Sequence, residues 1–375
     1  MEKMDKIYVA GHLGVAGSAI VRRLRREGFQ HVVTRAHHEL ELTDAQAVAA
    51  FFAQEKPSYV FLASEMEGGI GAAGTLQAGM LREHLDMQSN VIQQSWLHGV
   101  RRLLFLGSSC AYPRDCAQPL REESLMAGSL LQEADLPLAI IKIAGIEMCW
   151  AYNRQYGTRF IPVMPANCYG PCDNFDLETS RVLPALLRKF HLAKLAQAGE
   201  WQAISDDERC FGVIPFEVTA RLGIAGGAVG KAGNAVPVWG SGKPCREFLH
   251  ADDLADACHF LMELPDLWLG EYDPSTLLFN IGTGEDISIA DLARLVAGIV
   301  GYEGEIVFDA SRPDCAPPRK SMNLQRMTRE GWTASISLAE GIRETYDWYL
   351  SQTCEEEGRA EGFIDCFEWR GCLAL

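Results

Sequence analysis

KIYVAGHLGVAGSAI, residues 6–20, sets a short apolar run from Ile7 to Ala10 directly against Gly11, Gly14 and Gly17, then opens a helix with Ser18 and Ala19. Between a strand and a helix each glycine has its own steric task. Gly11 permits the tight turn and Gly14 removes the Cβ that would block a diphosphate. Gly17 lets the helix lie close on the strand, so that its N-terminus faces the phosphates. The stretch predicts a dinucleotide-binding turn at the start of a doubly wound sheet.

Outward from this turn, short apolar runs alternate with helical patterns. Val32 to Arg35 precedes Ala45 to Gln54, and Tyr59 to Ala63 precedes His84 to Gly99. Leu103 to Gly107 follows, then Ala139 to Tyr156 before Thr158 to Pro165. Strands of this length separated by helices imply βαβ crossovers and a parallel sheet. The expected fold class is therefore α/β, a Rossmann-type doubly wound parallel sheet with a smaller C-terminal substrate-binding region. A cofactor domain is expected over residues 1–170, with later strands returning to it. A mainly substrate-binding region is expected over 171–350, built around the segments near Pro184, Trp239 and Asp309. Residues 191–235 are rich in Ala and Gly without a clear period and read as an insertion; residues 351–375 form a tail with no assigned role.

Composition narrows the function classes. The 375 residues suffice for a sizeable core, and 48% hydrophobic with 22% charged residues excludes disordered and fibrous chains. Thirty-four Lys and Arg against 50 Asp and Glu give a formal charge of −16, which argues against a nucleic-acid surface but leaves room for a local basic pocket. The twelve cysteines show neither paired metal-site spacing nor the density of a disulfide scaffold, and most read as buried thiols in a reducing cytosol. No leader-like segment and no run of about 18 apolar residues is found, so a cytoplasmic chain without membrane contact is expected.

The second strand ends in Val33-Thr34-Arg35-Ala36-His37-His38, without the acidic residue that grips the ribose hydroxyls of NAD. Arg35 stands where a 2′-phosphate would lie, so NADP is the expected cofactor. Asp44 is expected either to touch the adenine or to cap the next helix.

Farther along, the chain reads LLFLGSSCAYP (103–113), IIKIAGIEMCWAYNRQYG (140–157), VMPANCYGPCDNF (163–175), PALLRKFH (184–191), VWGSGKPCREFLHADDLA (238–255), FNIGTG (279–284) and VFDASRPDCAPPRK (307–320). Taken in this order, these segments resemble the GDP-L-fucose synthase family of the extended short-chain dehydrogenase/reductase superfamily. That family performs NADPH-dependent 3,5-epimerisation and 4-reduction of GDP-4-keto-6-deoxy-D-mannose. By that resemblance Cys110 is the base that removes the proton beside the ketone, Ser108 hydrogen-bonds the ketone, and Lys142 holds the nicotinamide ribose. A thiolate near Lys or cationic nicotinamide suits such a task because its pKa is lowered. Asn167 and Tyr169 would touch cofactor or sugar. Arg188, Trp239, Arg246 and Arg312 would contact the GDP part, residue types suited to a diphosphate and a base face.

Two residues of the family pattern are absent. Four positions before Lys142, where the pattern has the tyrosine that protonates the ketone oxygen, this chain has Leu138. Before VLPALL, where the pattern has the histidine that acts as acid in epimerisation, it has Arg181. Leucine has no proton to give, and arginine does not release one in proteins. A substitute hydroxyl, Tyr112 or Tyr152, or a water would have to serve. Glu65, Met66 and Glu67 also depart from the family's apolar residues and Lys; two carboxylates near an anionic ligand disfavour it unless they face solvent. The resemblance implies a GDP-sugar ligand and a homodimer formed by helices such as His84 to Gly99 and Ile143 to Tyr156. It leaves three readings: an active epimerase/reductase; an impaired homologue that still binds NADP and a GDP-sugar; and, disfavoured by the missing tyrosine, an enzyme acting on another nucleotide sugar.

Overall fold

The computed structural model describes residues 1–63, 77–125, 136–224, 235–311, 314 and 317–352. Its first half is a regular strand–helix alternation: β1 (Lys6–Ala10), α1 (Val15–Arg26), β2 (His31–Val33), α2 (Ala45–Glu55), β3 (Tyr59–Leu62), α3 (Gln77–Leu97), β4 (Arg102–Leu106), α4 (Leu136–Tyr156) and β5 (Phe160–Pro165). β3, β4 and β5 are buried at every residue, as strands covered by helices on both faces must be. That is why they read as unbroken apolar runs rather than alternating ones.

Beyond β5 come β6 (Asn167–Tyr169), α5 (Val182–Ala198), α6 (Trp201–Phe211), α7 (Phe216–Leu222), β7 (Ala235–Trp239), β8 (Cys245–His250), α8 (Ala251–Glu263), α9 (Asp266–Leu269) and β9 (Phe279–Ile281). The chain closes with β10 (Asp286–Ser288), α10 (Ile289–Val300), β11 (Glu305–Asp309), β12 (Arg319–Lys320), α11 (Gln325–Glu330) and α12 (Leu338–Ser351). The main sheet is wholly parallel, in the order β2-β1-β3-β4-β5-β9. Its sequence order reverses around β1, and in such sheets ligands bind in the crevice outside the strand C-termini at that point. Smaller sheets, β10-β8-β12 with β6 beside β8 and the pair β11-β7, stand over the second half.

Two hydrophobic clusters follow this division. One holds the main sheet with α1 to α4 and α8, and the other gathers Tyr169, Leu187, Phe190, Phe248, Val296 and Tyr349 with α5, α6, α7 and α12. The segment 191–235, which shows no clear period in the sequence, carries helices within the described residues. α5 runs on to Ala198, and α6 and α7 follow with Ile204, Phe211, Val218 and Leu222 buried in the second cluster. The glycines that read as irregularity, Gly199, Gly212 and Gly223, each sit at the end of a helix at positive φ. Asp207, a buried carboxylate, interrupts the apolar pattern of α6. The tail from 353 onward and residues 225–234 lie outside the described residues. Among the described residues no helix is long and apolar enough to cross a membrane.

Candidate active site

At the C-terminal end of β1 the glycine turn has the expected geometry. Gly11 has φ +80°, and a Cβ on Gly17 would lie 2.0 Å from the Gly11 carbonyl oxygen, so only glycine lets α1 approach the strand this closely. Gly14 caps α1 without any side-chain hydrogen bond, and the first turn carries no acidic residue. The helix therefore presents bare N–H groups and the positive end of its dipole to the crevice. A dinucleotide diphosphate fits this cradle.

Arg35, just past β2, is half-buried, but its guanidinium is already engaged. Nη2 donates to Glu55 Oε1 at 2.7 Å, and Nη1 to the Thr34 carbonyl at 2.8 Å. A 2′-phosphate here would share Arg35 with Glu55, a residue that only the fold brings to it. Asp44 caps α2: its Oδ1 accepts from the Gln46 and Ala47 amides at 2.8 and 3.1 Å.

At the end of β4, Ser108 and Cys110 occupy a single 3-10 turn. Ser108 Oγ accepts from the Cys110 amide at 3.4 Å, and both residues are partly exposed. Lys142 reaches the same place from α4. It is buried, and its Nζ donates to the Leu106 carbonyl at 2.8 Å. The reach is set by packing one turn on, where a Cβ on Gly145 would stand 2.2 Å from Phe105 Cζ, so α4 lies directly on β4. Leu138 is on the face of α4 that carries Lys142, one turn earlier, so no phenol stands at that position.

The two tyrosines that were to substitute are committed elsewhere. Tyr112 is buried and its hydroxyl donates to Asn280 Oδ1 at 2.6 Å; burial first, and the nearby Glu122 second, push its pKa well above the ordinary phenol value. Tyr152 lies ten residues past Lys142, about 15 Å along the helix, within an aromatic group of Trp96, Tyr156 and Phe160. Asn167 donates to the Glu247 carbonyl at 2.7 Å, tying β6 to β8. Tyr169 is corrected to a core residue, 1% exposed, with its ring edge-on to His250 and Phe248. Arg181 is exposed at the N-cap of α5.

In the second half, Trp239 ends β7 with its side chain 48% exposed, and the Lys189 ammonium lies 4.7 Å from its ring centroid. Arg246 is half-exposed on β8. Its neighbour Glu247, pointing inward, is 1% exposed and accepts from the Thr283, Gly284 and Met322 amides. Strand alternation thus turns the structural carboxylate inward and leaves the guanidinium half-exposed, with its Nη1 donating to the Cys245 carbonyl at 2.7 Å. Arg246 is also one of the charges that hold Asp314 below the usual carboxylate range, after its larger hydrogen bonds to Ser241.

Arg188 is corrected outright. It is 0% exposed; Nε donates to Asp207 Oδ1 at 2.8 Å, and its other nitrogens donate to the Phe175, Phe211 and Gly212 carbonyls. Four of its five N–H groups are engaged in this way, and the side chain has no exposed surface to offer a diphosphate. The residue beside it, Lys189, is turned about 100° around the helix and meets Trp239 instead. The pattern could not tell the two apart, because α5 is buried nearly all round and has no polar face to read. Arg312, and Glu65, Met66 and Glu67, lie outside the described residues.

A parallel sheet with a bare helix N-terminus at its switch point, a Ser-x-Cys turn and a buried lysine at the next strand ends, and an indole with two cations in the second half define a nucleotide-dependent enzyme of the short-chain dehydrogenase/reductase kind. The chain belongs to the NAD dependent epimerase/dehydratase family, whose model matches residues 7–207 and 222–282. It is 44% identical over 353 residues to GDP-L-fucose synthase 1 of Arabidopsis thaliana, covering 94% of this chain and 95% of that one. It is 42% identical over 347 residues to GDP-L-fucose synthase of Escherichia coli strain K12, covering 92% and 97%. Among solved structures it is similar to a GDP-D-glycero-L-gluco-heptose synthase of Campylobacter jejuni in the presence of NADPH, with a TM-score of 0.83, 40% identity, and coverage of 94% and 100%.

Proposed function

We propose that this chain is an NADP-dependent GDP-sugar epimerase/reductase of the GDP-L-fucose synthase type, acting on GDP-4-keto-6-deoxy-D-mannose. The observation that carries this reading is that the glycine cradle, the Ser108–Cys110 turn with Lys142, and Trp239 with Lys189 and Arg246 keep their order in a chain so similar to two such synthases over nearly its whole length. NADPH, when bound, supplies the hydride. Gly11, Gly14 and Gly17 give its diphosphate room at the start of α1, and Arg35 meets its 2′-phosphate. Lys142 orients the nicotinamide ribose from the end of β4.

Ser108 holds the sugar ketone by a hydrogen bond. The Cys110 thiolate takes a proton from the carbon beside that ketone, a step the neighbouring carbonyl makes feasible by accepting the charge. Trp239 covers the base or sugar face, while Arg246 and Lys189 neutralise the diphosphate, with Arg312 a further contact. Arg181 polarises an oxygen at most and does not return a proton. We also propose residues 1–170 as chiefly the cofactor domain, a cytoplasmic location, and a homodimer through α3 and α4.

Leu138 supports a second reading, in which NADP and the GDP-sugar still bind but reduction is slow. Incubation of the purified protein with NADPH and GDP-4-keto-6-deoxy-D-mannose separates the two, following both absorbance loss and sugar product. Stoichiometric GDP-L-fucose at the rate of ordinary synthases supports the first reading. Tight binding of both ligands without turnover supports the second, and binding of neither removes both.

A further inference from the structure

His84 is a residue that the proposed chemistry leaves unused, and it lies on α3, which packs along α4, the helix that carries Lys142. On α3, Gln88, Val91 and Ser95 form the inward stripe, 0–3% exposed, and His84 is the position one turn before Gln88 on that same stripe. The matching stripe of α4 is Lys142, Ile146 and Cys149. Both helices follow parallel strands and run side by side in the same direction. Their register is fixed lower down: Ser89 meets Met148, 59 residues on, and Trp96 meets Tyr152 and Tyr156. Carried back toward the start of both helices, that register sets His84 opposite the turn of α4 that carries Lys142. This end of the helices lies at the strand C-termini, where the site is. Lys142 is 5% exposed, whereas His84 is half-buried and so stands nearer to water.

We propose that His84 is a positioning residue for proton supply, linking the buried Lys142 ammonium to solvent in a site whose phenol position is Leu138. This rests on the reductase reading. When the hydride pair forms the new C–H bond, the C=O π pair moves onto oxygen, and that oxygen takes a proton from the Lys142 ammonium. The resulting amine recovers a proton from one nitrogen of the His84 ring while the other ring nitrogen takes one from water, leaving the imidazole neutral in its other tautomer. The ring is suited to this because burial first, and the Lys142 charge second, push its pKa down to about 4. It therefore carries no positive charge against the lysine at neutral pH. Lys142 is the charged group bearing on it from α4; on α3 itself Arg82 is exposed and paired with Asp86, and Glu83 is exposed.

The test is an NMR titration of the His84 ring in the protein without ligands, assigned by loss of its signal in His84→Gln, and repeated in Lys142→Met. A midpoint near 4 that rises in Lys142→Met supports the pairing. A midpoint between 6 and 7 that ignores Lys142→Met overturns the proposal. Where the protein turns over, His84→Gln should slow NADPH oxidation at least about tenfold, steepen its fall at alkaline pH, and respond to added imidazole. A variant that keeps the wild-type rate and pH profile also overturns the proposal. If His84→Gln does not fold, His84→Asn supplies the assignment and the midpoint is read as before. A protein that never oxidises NADPH removes the reductase reading, while the titration continues to decide whether His84 and Lys142 are paired.

Discussion

Arg188→Met tests whether the guanidinium on α5 serves the ligand or the fold. In the structure it makes four charge-assisted hydrogen bonds, one to Asp207 and three to backbone carbonyls, at 2.6–3.1 Å and with no solvent exposure. Its removal leaves the Asp207 carboxylate buried, with the Tyr349 hydroxyl as a remaining partner. Breaking one side of a buried ion pair costs about 3–5 kcal/mol, against a total stability of roughly 5–15 kcal/mol for a folded protein. The variant should therefore lose a large fraction of its stability, read as a drop in the urea midpoint followed by tryptophan fluorescence. Arg188→Met combined with Asp207→Leu should recover part of the loss, because no lone charge is then buried. Calorimetry with GDP under conditions where the single variant is still folded should show nearly unchanged affinity. A variant that loses less than about 1 kcal/mol while binding GDP ten times more weakly would show that Arg188 is a ligand contact and that the buried network is wrong.

Leu138→Tyr should raise the NADPH oxidation rate, by up to about 10²-fold if the phenol is seated one turn before Lys142; an unchanged rate in an already fast enzyme would mean that another group donates the proton. Arg35→Ala should cost NADP about 1–3 kcal/mol of affinity and NAD little, whereas Glu55→Gln, by releasing Arg35, should strengthen NADP binding; equal affinity of the unmodified protein for the two cofactors would refute the assignment. Trp239→Ala and Lys189→Met should each weaken GDP binding by about 0.5–2 kcal/mol while leaving NADP affinity alone, and a loss confined to NADP would relocate the nucleotide-sugar site.

The cofactor half was legible because its determinants are local. A strand, three spaced glycines and a helix within residues 6–20 already specify a diphosphate turn, and buried parallel strands announce themselves as apolar runs. Ser108, Cys110 and Lys142 were singled out by the resemblance, and their placement is local: Ser108 and Cys110 follow β4 directly and Lys142 lies on α4. The same locality exposed Leu138, because one helical turn fixes its place relative to Lys142 wherever α4 lies. What tertiary structure alone decided are the partners that come from far along the chain. Glu55 is twenty residues from Arg35, Asp207 nineteen from Arg188, and Tyr112 is spent on Asn280, 168 residues away. Charge and hydroxyl type show which groups can bind a ligand, but a long side chain satisfies whichever partner packing brings within about 3 Å. On a helix buried nearly all round, the choice between Arg188 and Lys189 rests on a 100° rotation that acquires meaning only when α6 covers one side and Trp239 the other.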